Sequence, residues 1–352
     1  MPIEKTGRFY MSTLPVLVAD IGGTKSLFAL AKKSGAPYPH YQLYEKRLYN
    51  NEQFSSGYAV LSEYLKSIGN IAIHNGVLGI AGHVQANSVY MTTLKWQFDE
   101  AQLKNDFGFR KINLLNDLEA MTMGVPFLNN TDYIEIQKGV RQQKGNICLV
   151  AAGTGLGEAS SVYCEQIQDY HVIPGEGGQA GFSPVTIEQS ELWNYILKTE
   201  PYASLESLLS GPGLVNIYKY LVENSRVAEN PSVSIVEKNL TAKEITTRSN
   251  SGEDEYCIKA VDLFVSIYAN EARNLAFRTL PYGGLYLGGG IAPKIFDTRN
   301  STRYLEYVTN FLQMFLKKSK MSNFLENIPV YIITNENSAL YGAAAFNETD
   351  IK

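Results

Sequence analysis

Cysteine is scarce in this chain, with only Cys148, Cys164 and Cys257 among 352 residues. They are widely spaced, odd in number and form no Cys-x-x-Cys pair, which argues against a disulfide framework and against a structural zinc site. Cys148 lies in the apolar run Ile147-Cys148-Leu149-Val150 and reads as a buried core thiol. The pattern suits a reducing compartment, so a cytoplasmic location is expected. Long hydrophobic runs are also missing. The N-terminal apolar run over residues 14–19 stops at Asp20, too short for a membrane span or a signal-peptide core. The stretch before it, with Glu4, Lys5 and Arg8, reads as a loose polar tail, and no membrane partner is expected. There is no basic run or stripe, and the formal net charge is -4, which argues against nucleic acid as a partner. Charged residues make up 19% and hydrophobic residues 45%, the balance of a globular chain rather than a disordered one. The length allows two domains with two substantial cores.

What the chain does have is glycine in short, placed clusters: Asp20-Ile21-Gly22-Gly23-Thr24, Gly153-Thr154-Gly155-Leu156-Gly157, Pro174-Gly175-Glu176-Gly177-Gly178 and Gly288-Gly289-Gly290. Such turns can bind phosphate through backbone N–H groups, so an acidic chain can still take an anionic ligand. An ordinary hairpin or packing turn is the plainer alternative for each of them. Among them stands Leu115-Asn116-Asp117-Leu118-Glu119-Ala120, which puts a carboxylate where an apolar strand gives way to a helix. Asp117 could simply cap that helix. A strand-end carboxylate in the company of two phosphate turns points instead to phosphoryl transfer from a nucleotide to a hydroxyl.

The apolar patterning predicts strands over residues 15–19, 26–31, 71–73, 77–80, 112–115, 146–152, 159–163 and 285–287. It predicts helices over 52–67, from Asp117 onward, over 253–280 and over 338–346. Thr241 with Glu244 is a capping-box pattern that should open another helix. The helix at 338–346 is built of small residues and should pack closely against something. Pro126 and Asn129-Asn130 mark a boundary, giving a small α/β domain over 14–127 plus 335–352 and a large one over 128–334. The strand, glycine turn and second strand over 146–163 echo those over 16–31, which suggests an internal duplication.

Taken in order, six segments resemble the bacterial-type glucokinases of the hexokinase branch of the actin-like ATPase superfamily. Four are the 20–24, 115–120, 153–157 and 174–178 segments. The others are Leu209-Ser210-Gly211-Pro212-Gly213-Leu214-Val215-Asn216 and Gly288-Gly289-Gly290-Ile291-Ala292-Pro293. The resemblance runs from about Val16 to about Phe346. It implies an α/β fold of two actin-like (ribonuclease H-like) domains with an interdomain active-site cleft, ATP and Mg²⁺ as cofactors, and a homodimer. The implied reaction is ATP-dependent phosphorylation of glucose to glucose 6-phosphate, the first step of glycolysis. A kinase for another hexose or amino sugar, or a sugar-binding regulator without catalysis, is the alternative. The related sugar kinases and repressors with a cysteine-rich zinc motif are the nearest competitor. Three scattered cysteines do not supply that motif, and the stretch before Asp20 is too short for their DNA-reading domain.

The same resemblance assigns Asp117 as general base and Asn116, Glu176, Gln179 and Glu206 to the sugar. It assigns Asp20, Gly22, Gly23, Thr24, Gly153, Thr154, Gly155, Gly289 and Gly290 to the nucleotide, with Asp20 also on the Mg²⁺ side through water. Gly211-Pro212-Gly213 reads as a hinge-side turn, and Glu206 on sequence alone reads as a helix-surface carboxylate. Departures from the family pattern are Gln179 where His is usual, Gly181 where Asp is frequent, Thr93 where Asn is common and His83 where Pro is usual. Lys25, where many relatives carry Asn, reads as a solvated turn residue, and His83 as a loop residue.

Overall fold

The computed structural model describes residues 14–35, 40–224 and 239–348, so the polar tail around Glu4, Lys5 and Arg8 lies outside the described residues. The chain forms two compact units, Met1–Phe127 with Asn337–Lys352, and Leu128–Glu336.

The strands of the first unit are β1 (Val16–Ile21), β2 (Lys25–Lys33), β3 (Tyr41–Asn50), β4 (Asn75–Ile80), β5 (Val84–Gln85), β6 (Ser88–Met91), β7 (Trp96–Asp99) and β8 (Lys111–Asn116). Five of them make a sheet in the order β3-β2-β1-β4-β8, and β5, β6 and β7 make a separate meander. β1, β4 and β8 are parallel, while β2 and β3 return antiparallel. The inner strands β1 and β4 are almost wholly buried, as strands covered on both faces must be. The helix expected over 52–67 is split. Residues Asn51–Gln53 form a separate 3₁₀ turn, and α1 (Gly57–Ser67) restarts at Ser56, whose side chain caps Ala59 N–H. The strand expected over 71–73 is absent. Ile71 is 36% exposed and pairing begins only at Asn75. Next come α2 (Glu100–Phe107), closed by Gly108 with φ of 75°, and α3 (Asp117–Gly124).

The second unit holds β9 (Tyr133–Gln137), β10 (Ile147–Ala152), β11 (Leu156–Cys164), β12 (Asp169–Gly175), β13 (Gly284–Gly288) and β14 (Val330–Ile333), in the order β12-β11-β10-β13-β14-β9. β10, β13 and β14 are parallel and the other three antiparallel. Its helices are α4 (Ile187–Ile196), α5 (Gly211–Glu223), α6 (Ala242–Ser251), α7 (Glu255–Thr279), α8 (Ala292–Ile295), α9 (Tyr304–Phe315) and α10 (Ser322–Glu326). The expected capping box opens α6, with Thr241 Oγ1 accepting from Glu244 N–H. The long α7 buries Val261, Phe264, Val265, Tyr268 and Leu275 within the core of this unit. Cys148 is fully buried there, and burial pushes its thiol up to about 12.

The two principal sheets share one plan. Each starts from a central strand (β1 or β10), adds two antiparallel strands on one side and two parallel strands on the other; β9 is an addition to the second. The echo in the sequence is thus an echo of whole sheets.

The last helix, α11 (Ser338–Phe346), belongs to the first unit and crosses α3 at very close range. A Cβ at Gly342 would collide with the Ala120 carbonyl, and one at Gly124 with the Ser338 carbonyl. The small residues at 338–346 are needed for that approach.

Candidate active site

In the first unit the sheet brings Asp20, Asn116 and Asp117 to one end. Asp20 pairs with Gly79 on β4, and Gly79 with Leu115 on β8, so both carboxylates lie at the carboxyl ends of parallel strands, where ligands of open α/β sheets bind. A Cβ at Gly79 would sit 3.1 Å from Ala120 Cβ, a tight contact, so glycine there eases the close approach of α3 to β4. Asn116 caps α3. Its Oδ1 accepts from Leu118 N–H at 2.9 Å and Glu119 N–H at 3.2 Å, and its Nδ2 donates to the Gly82 carbonyl at 3.0 Å. The capping role open to Asp117 therefore falls mainly to Asn116. Asp117 is the first residue of the helix, and its Oδ1 accepts from Leu118 N–H at 2.9 Å. The positive end of the helix favours a charged carboxylate there.

Burial, followed by the negative charge of Asp117, pushes the Asp20 carboxyl up to about 7. Two carboxylates in that relation are a site a cation would stabilise. Among the described residues no group of three or more His, Cys, Asp or Glu could hold a metal by itself. A donor set of one or two carboxylates, completed by phosphates and water, is the kind Mg²⁺ takes.

The turn between β1 and β2 is held from behind. Gly22 N–H donates to the Lys25 carbonyl at 2.9 Å. The buried Asn51 donates through Nδ2 to the Gly22 carbonyl at 2.8 Å and through its backbone N–H to the Thr24 carbonyl at 3.0 Å, and accepts from Ser26 Oγ at 2.7 Å. Sequence reasoning missed Asn51, because nothing in its neighbourhood marks it as distinct from a surface asparagine. Thr24 and Lys25 are exposed, the latter as expected for a solvated turn residue.

The second unit collects the other candidates. In the turn after β10, Gly153 N–H donates to the Gly155 carbonyl at 2.8 Å, and Gly211 N–H donates to the Gly153 carbonyl at 2.8 Å. Gly211 opens α5, capped by Ser210, whose Oγ accepts from Gly213 N–H at 3.0 Å. Residues 211–213 are thus a helix N-terminus and not the hinge-side turn expected; Pro212 fits the first turn, where no intrahelical N–H is needed. Gly289 has φ of 78°, and a Cβ there would collide with the Ala152 backbone. Gly290 N lies 3.9 Å from where a Gly153 Cβ would be. The 153–155, 211 and 289–290 backbones therefore converge beside the positive end of α5, a suitable place for phosphate.

Next to this lies the acidic loop. Glu206 sits in a turn before α5, not on a helix surface. Its Oε2 accepts from Leu156 N–H at 2.9 Å, its Oε1 from Gln179 Nε2 at 3.2 Å, and its own N–H donates to the Gly178 carbonyl at 2.9 Å. Glu176 is exposed, and its carbonyl accepts from Gln179 N–H at 3.0 Å. A Cβ at Gly178 would collide with the Leu156 carbonyl, and one at Gly177 with the carboxyl of Glu158. Glu176, Gln179 and Glu206 are thus one cluster, and Gln179 engages Glu206 directly. Gly181, Thr93 and His83 are not buried. Glu158, a buried carboxyl on β11, is a second residue sequence reasoning passed over.

The glucokinase family model matches residues 17–350, a span that holds both glycine turns, the strand-end carboxylate and the polar cluster around Glu206. The chain belongs to the glucokinase family. It is 33% identical over 338 residues to a glucokinase of Saccharophagus degradans, covering 96% of this chain and 99% of that one. Among solved structures it is similar to a glucokinase from an Antarctic psychrotroph, with a TM-score of 0.78, 31% identity and coverage of 94% and 98%. It shares its fold with a ROK family glucokinase from Streptomyces griseus in complex with glucose and AMPPNP, with a TM-score of 0.61, 15% identity and coverage of 94% and 98%. The glucokinase-family fold is therefore common to relatives with and without close sequence similarity. Among the described residues no helix is long and apolar enough to cross a membrane.

Proposed function

We propose that this chain is an ATP-dependent glucokinase in which Asp117 is the general base. The family match over residues 17–350 supports the activity, and the ROK relative bound to glucose and an ATP analogue supports the pairing of substrates. The observation that carries the role of Asp117 is its place at the carboxyl end of β8, on the same sheet end as Asp20, where Asn116 takes most of the capping of α3. A sugar hydroxyl is a poor nucleophile until a positioned base takes its proton, and a carboxylate within hydrogen-bond reach does that.

Glu176, Gln179 and Glu206 would hold the sugar hydroxyls, since carboxylates accept and the amide both donates and accepts. The turns at 22–24 and 153–155, with Gly289 and Gly290, would hold ATP. Asp20 would hold Mg²⁺ through water, and the bound ion would supply charge neutralisation on the transferring phosphoryl. The reaction needs both groups of residues on one sugar and one nucleotide. The proposal therefore includes an interdomain cleft that closes on glucose and keeps water from the phosphoryl group. A cytoplasmic homodimer completes it, as the family resemblance implies. A sugar-binding regulator has no need of the base or of both phosphate turns.

Asp117→Asn tests the assignment. It should leave glucose affinity nearly unchanged while lowering kcat by roughly 10²–10⁴, the usual worth of a positioned base. Steady-state kinetics with calorimetric glucose binding checks both halves. Turnover within a few-fold of the unmodified chain would remove Asp117 from the chemistry.

A further inference from the structure

The 209–216 segment ends on Asn216, a polar residue within α5 that neither sugar nor nucleotide accounts for. Its partner lies outside the helix. Asn216 Nδ2 donates to the Ser207 carbonyl at 3.1 Å. Ser207 directly follows Glu206, and the backbone groups around Glu206 are engaged as well. Glu206 N–H donates to the Gly178 carbonyl at 2.9 Å, and the Leu205 carbonyl accepts from Leu209 N–H at 2.8 Å. The Glu206 carbonyl accepts from Ser210 Oγ at 2.7 Å, and Ser207 N–H donates to Ser204 Oγ at 3.1 Å. A peptide plane bonded at both its N–H and its C=O cannot rotate without breaking one of those bonds. Both planes flanking Glu206 are bonded in this way, so its two backbone torsions are fixed.

The side chains behind the turn form an ordered relay. Ser207 Oγ lies 2.7 Å from Glu200 Oε2 and 3.0 Å from Ser204 Oγ. A carboxylate accepts only, so Ser207 gives its one hydroxyl hydrogen to Glu200. The bond between the two hydroxyls then runs from Ser204 to Ser207. That leaves Ser204 Oγ a lone pair for Ser207 N–H, the bond that fixes the plane after Glu206. In front, a short ladder sets the turn beside Gln179, with Leu205 N–H on the Ala180 carbonyl at 2.8 Å and Phe182 N–H on the Ala203 carbonyl at 2.9 Å.

We propose that Asn216, Ser204, Ser207 and Glu200 are positioning residues that aim the Glu206 carboxylate at the sugar. The carboxylate has about four acceptor positions. Leu156 N–H takes one on Oε2 and Gln179 Nε2 one on Oε1. The others remain for sugar hydroxyls, and their direction is set by the backbone that carries the side chain. A carboxylate aimed before the sugar arrives loses less freedom on binding, so the relay acts on glucose affinity. The same turn touches the phosphate side, because a Cβ at Gly155 would lie 2.5 Å from Glu206 Oε2. The inference rests on the proposed role of Glu206 in holding the sugar, and it gives the polar end of the 209–216 segment a function.

The test uses the full chain with Asn216→Ala, Ser204→Ala, Glu200→Ala and Glu200→Gln, and reads glucose Kd by calorimetry together with hydrogen exchange over residues 155–157. Asn216→Ala and Ser204→Ala should each raise glucose Kd roughly three- to tenfold, the scale of one lost hydrogen bond. Either serves if the other does not fold. Exchange over 155–157 should accelerate in both, since Leu156 N–H loses its fixed acceptor. Glu200→Ala should behave like them, whereas Glu200→Gln keeps an acceptor for Ser207 and should bind glucose like the unmodified chain. Each alanine variant is then combined with Glu206→Ala, where no carboxylate is left to aim and no further weakening is expected. Folded variants with unchanged glucose Kd and unchanged exchange overturn the proposal, and so does a weakening that persists in full beside Glu206→Ala. If Glu206→Ala alone binds glucose as tightly as the unmodified chain, the sugar role of Glu206 fails. Exchange over 155–157 in Asn216→Ala still decides whether the relay holds the turn.

Discussion

At the scale of single residues, the account turns on which polar groups serve substrate and which are consumed by the fold. Asn51 is consumed, whereas Asn116 gives Oδ1 to α3 and one amide hydrogen to Gly82 and has a second amide hydrogen to offer a sugar. Asn51 is 1% exposed and ties Gly22 to Ser26. Asn51→Ala would strand the Ser26 hydroxyl and the Gly22 carbonyl, at about 1–3 kcal/mol for each buried group left unpaired. The expected outcome is a raised ATP KM and a lowered melting temperature with glucose affinity little changed, checked by varying each substrate in steady state. An unchanged ATP KM would separate Asn51 from the nucleotide turn. Asp20 and Asp117 were legible in the sequence because each sits at the end of an apolar strand, before a glycine turn or a helix, which is itself a local signal. Asn51 and Glu158 were not, because their significance lies in contacts far along the chain, with Ser26 for Asn51 and the space beside Gly177 for Glu158.

At the scale of elements, strands and helices with one dominant environment were legible. β10 is buried at every position and α7 along one broad face, so apolar run and helical spacing sufficed. β3 was missed because it is an edge strand whose apolar residues at 41–44 and 48–49 are interrupted by Glu45, Lys46 and Arg47, where a bulge breaks the alternation. Residues 71–73 were overread for the opposite reason, since apolar residues there find no strand to pair with. The small-residue helix α11 was legible, but its partner was not. Its contact with α3 sets the position of the helix whose first residue is Asp117. Gly342→Ala tests that contact. Alanine gains about 1 kcal/mol in helix propensity, but a Cβ pressed on the Ala120 carbonyl meets backbone that cannot swing away, and overpacking costs typically about 1–3 kcal/mol. Packing should win, giving a lower melting temperature by calorimetry and a lower kcat. A variant more stable than the parent would show that α3 and α11 have room to separate.

At the scale of the molecule, one sheet plan is used twice, and each copy puts a glycine turn between its central strand and the next one. The first copy adds the two carboxylates, the second adds the acidic loop and the N-terminus of α5. That division explains why the sequence carried the family so clearly. The proposed chemistry is concentrated in turns at strand ends, where residue identity is constrained by backbone geometry, while the surrounding helices can be built from many sequences. The central claim is that the two sets of residues together transfer phosphoryl from ATP to glucose. It is tested most directly by ADP release from the purified chain with ATP and Mg²⁺ across a panel of glucose, mannose, fructose, glucosamine and N-acetylated amino sugars, against a no-sugar control. The account predicts ADP release that depends on sugar, with glucose giving the highest kcat/KM. Sugar-independent hydrolysis, or a higher kcat/KM for another sugar, would contradict it.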